Sequence, residues 1–234
     1  MAVAYNPKIV TDGLSFFIDP ANPKSYPGSG TTINKLVNIS PTATASMVNG
    51  VTYSTDNKGI MTFNGTTQYI RSDDRNLGAG LYPFSSGGWF RTEKSDGTSQ
   101  ALVINLNIGS SSVYWALFIA NSGILSISRR NTTTYTDAST YTPVIGEWFY
   151  AHANFPSTTT AEIYVNGELD TAFTGLTAVT SSTGANDVLI GLLRTSSPTW
   201  YLDGSCGPVM IYSKSLSAAE VKQNYLATKG RYGL

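Results

Sequence analysis

The chain has 234 residues, of which 41% are hydrophobic and 13% are charged, and its 15 basic and 15 acidic side chains cancel at neutral pH. This length suits one large β domain, and the composition excludes the high charge and low hydrophobicity of a disordered chain. A balanced charge creates no field that attracts nucleic acid or an anionic membrane, so we expect neither as a partner.

A single cysteine, Cys206, excludes an intrachain disulfide, so we expect stability to come from packing and hydrogen bonds. The first residues lack the basic start, apolar run and cleavage site of a signal peptide. No stretch reaches the ~18 apolar residues that a membrane span requires. These features predict a soluble protein that is made in the cytoplasm.

From residue 13 onward, short runs rich in Val, Ile, Tyr, Phe and Thr alternate with clusters of Gly, Asn, Ser and Asp. This rhythm is typical of an antiparallel β-sandwich. A hairpin turn is predicted at residues 121–123, between two apolar runs. The run 161–165 alternates strictly, with Ala161, Ile163 and Val165 on the face that we assign to the core. The predicted fold class is therefore all-β.

One short helix is predicted near the C-terminus. Ser217 and Glu220 have the spacing of a capping box, and Leu216 with Val221 fits the hydrophobic contact that often accompanies one. The helix is expected to end at Gly230, because glycine adopts the left-handed conformation of a helix cap without strain.

The catalytic candidates are few. No strand carries the paired carboxylates of a glycoside hydrolase. Glu168 and Asp170 have the right spacing, but they follow residues 165–167, where a strand leaves a turn, and are typical of solvated turn charges. His152 lies within a strand-like run and Cys206 beside a glycine, and neither has an evident catalytic partner. We therefore predict that the protein is not an enzyme.

Three aspartates, Asp19, Asp187 and Asp203, are candidate calcium ligands, since acidic loops of sandwich proteins bind this ion through carboxylates. Isolated loop aspartates are more typical of turns, so no cofactor is predicted and calcium stays an alternative.

Aromatic residues in loops are the candidate ligand-binding residues. Tyr135 and Tyr141 lie in a Thr-rich stretch, and Trp200 and Tyr201 follow a Ser-Pro loop. Exposed rings of this kind stack on sugars, so Trp200 and Tyr201 are the predicted glycan-stacking pair. The competing interpretation is that these rings cover the core or a sheet edge.

Taken together, four parts of the sequence resemble laminin-G-like domains of the concanavalin A-like superfamily, and the similarity extends over almost the whole chain. These parts are residues 13–32, 60–70, 146–155 together with 161–170, and 202–225. The resemblance implies a two-sheet antiparallel jelly-roll sandwich over residues 11–234. Residues 1–10 have no evident place in it and are expected to form an N-terminal arm that docks on a neighbour.

The blocks 12–30 and 224–232 are more specifically similar to stand-alone versions of this domain among structural proteins of tailed bacteriophages, those of cyanobacteria in particular. Hydrolytic members of the superfamily carry a Glu-x-Asp-x-Glu strand. This sequence has none, so their activity is not carried over.

Three functions follow as hypotheses. The favoured one is a bacteriophage virion structural protein, a capsid (head) decoration protein on the particle surface, homo-oligomeric and bound to the major capsid protein or another virion protein. The alternative is a carbohydrate-binding host-adhesion module of a tail fibre or spike, with host surface glycans as partners. The absence of repeats and heptads favours the head over a fibre. Glycan hydrolysis, the third, would depend on Glu168 or Asp170.

Overall fold

The computed structural model describes residues 7–36, 44–72, 82–94, 97–107, 112–130, 134–179, 186–193 and 199–234. Within these ranges the chain forms sixteen strands, one α-helix and two 3₁₀ turns. The strands are β1 (Leu14–Ile18), β2 (Thr32–Ile33), β3 (Ala45–Val48), β4 (Thr52–Ser54), β5 (Ile60–Asn64), β6 (Tyr69–Ser72), β7 (Phe84–Thr92), β8 (Gln100–Asn107), β9 (Ser112–Ile119), β10 (Leu125–Arg130), β11 (Thr134–Ala138), β12 (Phe149–Ser157), β13 (Thr160–Val165), β14 (Glu168–Phe173), β15 (Asn186–Ile190) and β16 (Asp203–Tyr212). The helix α1 spans Ala218–Thr228, and the 3₁₀ turns span Asp56–Lys58 and Lys229–Arg231.

The strands form two antiparallel sheets. Sheet A has the order β14-β13-β12-β7-β16-β5-β4, with β1 also paired to β16, and sheet B has the order β11-β10-β9-β8-β15-β6-β3-β2. The sheets pack face to face, which confirms the predicted two-sheet antiparallel sandwich with one short C-terminal helix. No α-helix in the described ranges is long and apolar enough to span a bilayer.

The main core lies between the sheets and is built from alternate residues of their strands. Phe84 and Phe155 stack there with ring centroids 4.5 Å apart. Ala161 and Ile163 face the same core, as the alternation predicts. Burial of each large apolar side chain contributes about 1.5–3 kcal/mol, so the alternation determines which face of a strand turns inward.

Sheet A is buried on its outer face as well. Trp89 and Tyr150 alternate with core residues along their strands and form a second cluster with Val221 of α1. The Trp89 indole N–H donates to the Thr228 hydroxyl at 2.7 Å, and its ring stacks on Tyr232 with centroids 4.2 Å apart. The C-terminal segment therefore covers this face.

The start of α1 confirms the predicted capping box. The Ser217 hydroxyl accepts from the Glu220 N–H, and the Glu220 carboxylate accepts from the Ser217 N–H at 2.8 Å. Asn154 of β12 holds this start on sheet A, because its side-chain amide donates to the Leu216 carbonyl at 2.7 Å and accepts from the Leu216 N–H at 3.2 Å.

The predicted end of α1 is wrong. The helix stops at Thr228 and the chain continues through the 3₁₀ turn, with Gly230 outside the left-handed region. This turn brings Arg231 to Asp19, to which its guanidinium donates two hydrogen bonds of 2.7 Å. The tertiary contact outweighs the local preference of glycine for a left-handed cap.

Residues 7–10 of the expected arm lie against α1, and residues 1–6 lie outside the described ranges. Val10 is buried, with its N–H donating to the Asn224 side chain at 2.8 Å and its carbonyl accepting from the Tyr212 hydroxyl at 3.0 Å. Gln223 donates to the Lys8 carbonyl at 2.7 Å. Docking of the arm on a neighbour stays a prediction.

We expect Arg231→Gln to lower the free energy of unfolding by about 2–3 kcal/mol, since it leaves the buried Asp19 carboxylate without its two-bond partner. The matched control is Lys222→Gln, which removes an ion pair with Glu168 whose side chains are 51% and 70% exposed. That loss should stay below about 1 kcal/mol. Urea denaturation measures both, and equal losses would show that the Asp19–Arg231 pair adds nothing beyond a surface ion pair.

Candidate functional site

The candidate site lies at the end of sheet B where a tight turn joins β9 to β10. The Gly123 N–H donates to the Ala120 carbonyl at 2.8 Å, and Gly123 has φ 84°, which glycine adopts without strain. This is the hairpin turn predicted at 121–123, and it is confirmed. Gln100, the first residue of β8, pairs with Ile119 beside it.

Gln100 stabilises the protein segment next to this turn, which forms one wall of the candidate site. Its buried side-chain nitrogen donates to the Thr92 hydroxyl at 3.0 Å and to the Lys94 carbonyl at 2.9 Å, and its oxygen accepts from the Asp203 N–H at 3.0 Å. These bonds tie the segment that follows β7 to the start of β16. The wall is therefore formed before a ligand arrives, which lowers the entropic cost of binding.

Trp200 supplies an apolar wall. Its ring stacks on Phe118 with centroids 4.9 Å apart and planes 23° apart. Its φ is 60°, a left-handed conformation that is rare for a bulky side chain. The Trp200 carbonyl accepts from the Ala101 N–H at 2.8 Å, and the Thr199 carbonyl accepts from the Leu193 N–H at 3.1 Å. The surrounding backbone holds Trp200 in this strained state, and strain of this kind clusters at ligand sites.

Two adjoining cavities open between these walls. The larger, the aromatic cavity, has a volume of about 580 Å³ and is lined by Trp200, Phe118 and the hydroxyl side chains of Thr136 and Thr199. This volume falls within the ~300–1,000 Å³ that is common for small-molecule sites.

The smaller, the polar cavity, has a volume of about 250 Å³, and its lining includes Lys94, Gln100, Ser122 and Thr142. We call the two cavities together the cleft. A flat ring beside hydroxyl and amide groups can stack on the C–H face of a sugar and hydrogen-bond its hydroxyls.

A third cavity, of about 400 Å³, is lined by Thr44, Ser46, Val48 and Arg71 elsewhere on sheet B. It has no aromatic ring in its described lining, and Arg71 is hydrogen-bonded to Asp187. Only the cleft therefore combines a ring with polar groups among the three cavities.

The predicted glycan-stacking residues differ in their placement. Trp200 and Tyr201 are both half-buried, and both pack against the apolar cluster on the outer face of sheet B. Trp200 lines the aromatic cavity, whereas Tyr201 is absent from the described lining of either cavity of the cleft. Tyr135 is half-buried, and Tyr141 packs on Phe149 with ring centroids 5.8 Å apart.

The carboxylates that hydrolysis would require do not line the cleft. The exposed Glu168 accepts from Lys222 at 2.6 Å. Asp170 accepts from the Thr140 N–H at 2.8 Å. Partial burial raises the pKa of Asp170, but hydrogen bonds from Thr171 and Thr140 outweigh this and lower it below its usual value. Asp170 is thus held ionised and unsuited to the role of general acid.

The three candidate calcium ligands are not brought together. Asp19 is bound by Arg231, Asp187 is bound by Arg71, and Asp203 donates its N–H to Gln100. In the part of the chain that the structure describes, no three His, Cys, Asp or Glu side chains are grouped so that they could hold a metal ion.

His152 and Cys206 are fully buried in sheet A. Burial lowers the pKa of His152 to about 3, although a hydrogen bond with Asn154 partly opposes the shift. Burial also raises the pKa of the Cys206 thiol. Both side chains are uncharged near neutral pH and have no access to a ligand.

Sequence reasoning missed Phe118 and Gln100. Residues 114–120 are apolar at both odd and even positions, a pattern that indicates a strand covered on both faces and that was the available signal for Phe118. Gln100 carries no comparable signal, because its role depends on a hydrogen bond from Asp203, which is 103 positions away in the chain.

A protein-family model confirms the resemblance seen in the sequence. The Laminin_G_3 model, described as concanavalin A-like lectin/glucanases superfamily, matches residues 64–222. No curated protein sequence matches the chain.

Solved structures with a similar fold include a sialidase from Trypanosoma rangeli in complex with sialic acid, at a TM-score of 0.71 and 14% identity, covering 97% of this chain and 36% of the sialidase. The receptor binding domain of botulinum neurotoxin type G has a TM-score of 0.65 at 14% identity, covering 92% of this chain and 51% of that domain. The binding domain of serotype D has a TM-score of 0.67 at 16% identity, with 92% and 51% covered. These likenesses show the fold, and this chain spans about half or less of each of these structures.

We expect His152 alone to lower the free energy of unfolding by about 2 kcal/mol between pH 7.5 and pH 5. The unfolded chain takes up a proton near the ordinary pKa of 6.5, whereas the folded chain takes it up only at about 3. The stability that depends on the neutral imidazole is therefore complete above about pH 6.5 and is lost progressively from there down to about pH 3.

His152→Gln should remove this part of the pH dependence. Urea denaturation at both pH values measures it, and comparison within each variant cancels the packing change. An unaltered pH dependence in His152→Gln would mean that the folded protein already accommodates the imidazolium.

Proposed function

Since this chain belongs to the concanavalin A-like lectin/glucanase superfamily, we propose that it is a non-enzymatic binding domain of a bacteriophage particle, where it decorates the surface of the head and binds glycans in the cleft. The proposal has two parts, the place of the protein and the ligand of its cleft. Each rests on its own observation and has its own test.

The virion part rests on the resemblance of two sequence blocks to structural proteins of tailed bacteriophages, and these blocks meet in the fold. Blocks 12–30 and 224–232 lie at opposite ends of the sequence and outside residues 64–222, which the family model matches. Asp19 of the first block and Arg231 of the second form the two-bond pair described above. The segments that carry the resemblance to phage structural proteins are thus parts of one structural unit.

Immunogold labelling of purified particles, viewed by electron microscopy, tests the virion part. We expect label over the whole head, because a decoration protein binds repeated sites on the capsid lattice. Label confined to the tail tip would replace head decoration with the host-adhesion alternative. Absence of the protein from intact particles would refute a virion role.

The glycan part is supported by one observation, the strained Trp200 held with its ring on Phe118 against a cavity of polar side chains. The similar structures include a sialidase in complex with sialic acid and the receptor binding domain of a botulinum neurotoxin. A binding surface on this fold is therefore in keeping with its relatives. Glu168 is ion-paired with Lys222, Asp170 is hydrogen-bonded to Thr140, and neither borders the cleft, which favours binding without hydrolysis.

We expect Trp200→Ala to weaken glycan binding at least about tenfold, since it removes a stacking contact worth about 1.4 kcal/mol or more. Trp200→Phe keeps a flat ring and should retain most of the affinity. A glycan array followed by calorimetry on the glycans that bind measures both, and chromatography should recover the bound glycans uncleaved. Full binding by Trp200→Ala would remove the cleft from consideration.

A further inference from the structure

The two cavities of the cleft differ in chemistry although they adjoin. The aromatic cavity offers the Trp200 ring. The described lining of the polar cavity contains no aromatic side chain, and it includes Ser122, Thr142 and the braced Gln100. A single compact ligand in one cavity would leave the other unused.

The cavities also share part of their lining. Gly97, Thr98, Ala120 and Asn121 border both, so these residues form a ridge between the two. A ligand that crosses the ridge must be elongated, with an apolar face at one end and several hydrogen-bonding groups at the other. Apart from Lys94, the polar side chains in the described lining of the cleft are hydroxyls and amides, which match a ligand rich in hydroxyl groups.

The geometry points to an oligosaccharide of at least two successive sugar units as the ligand, with one unit stacked on Trp200 and the next hydrogen-bonded in the polar cavity. This inference rests on the glycan part of the proposed function and adds the minimum length of the ligand. Ser122 and Thr142 are the residues that recognise the second unit. Both are exposed, so their hydroxyls are open to a ligand.

The polar cavity can be altered without disturbing the fold. The double variant Ser122→Ala/Thr142→Ala removes two exposed hydroxyls that border only the polar cavity. Its matched control is Thr44→Ala/Ser46→Ala, which removes two exposed hydroxyls from the third cavity. Neither pair appears in the network that holds Gln100.

Calorimetry with three defined series tests the inference: glucose, maltose and maltotriose; glucose, cellobiose and cellotriose; and N-acetylglucosamine with its dimer and trimer. In the series that binds, the disaccharide should bind at least about tenfold more tightly than the monosaccharide. The Ser122/Thr142 variant should lower disaccharide affinity toward that of the monosaccharide and leave monosaccharide affinity unchanged, whereas Trp200→Ala should weaken both. The Thr44/Ser46 control should bind like the unaltered protein.

Equal affinities for mono- and disaccharide would overturn the two-unit inference while glycan binding itself stands. Equal weakening of both sugars by the Ser122/Thr142 variant would also overturn it, because the polar cavity would then belong to the first unit. Binding of no sugar in any series, together with no binding on the glycan array, would refute the glycan part of the proposed function and this inference with it.

Discussion

The packing around the indole of Trp89 is the interaction on which most of the structure depends. Trp89 sits on β7 at the centre of sheet A, beside Phe90, which faces the opposite side in the main core. One central strand thus presents large rings to both faces, and a sheet with two apolar faces is stable in water only if both are covered. The sandwich covers one face. The other requires α1 and the residues around it, which is why Tyr232 and Thr228 meet the indole.

The aromatic cavity lies against the other sheet, sheet B. Its outer face carries a smaller apolar cluster that includes Ala116, Phe118 and Leu189, with Trp200 packed on top. Packing on Phe118 leaves Trp200 half-buried, so part of the residue is available to a ligand while the rest is held by the protein. The side-chain hydrogen bonds of Gln100 and the backbone hydrogen bonds around Trp200 involve separate strands. The shape of the cleft therefore depends on the whole sandwich.

Features with local causes could be predicted from the sequence. The turn at 121–123, the capping box at Ser217 and the alternation along β13 each follow from residues that are neighbours in the chain. The features that could not be predicted join distant residues. Asp19 and Arg231 are 212 positions apart, Gln100 and Asp203 are 103 apart, and Asn154 and Leu216 are 62 apart. Nothing local distinguishes these side chains from ordinary surface residues, and the left-handed backbone of Trp200 likewise results from hydrogen bonds between segments. The prediction of a helix cap at Gly230 was wrong for the same reason, because the contact with the distant Asp19 carboxylate determines the shape of the last turn.

The contact between residues 8–10 and α1 brings two segments that are far apart in the sequence to the same face of the domain. Lys8 and Val10 lie against Gln223 and Asn224, so the first and last described segments meet on the outer face of sheet A. The aromatic cavity lies against the outer face of the other sheet, sheet B. Anything joined to the chain through either of these segments is therefore attached on the face of the sandwich opposite the aromatic cavity. A tether at either segment leaves that cavity uncovered.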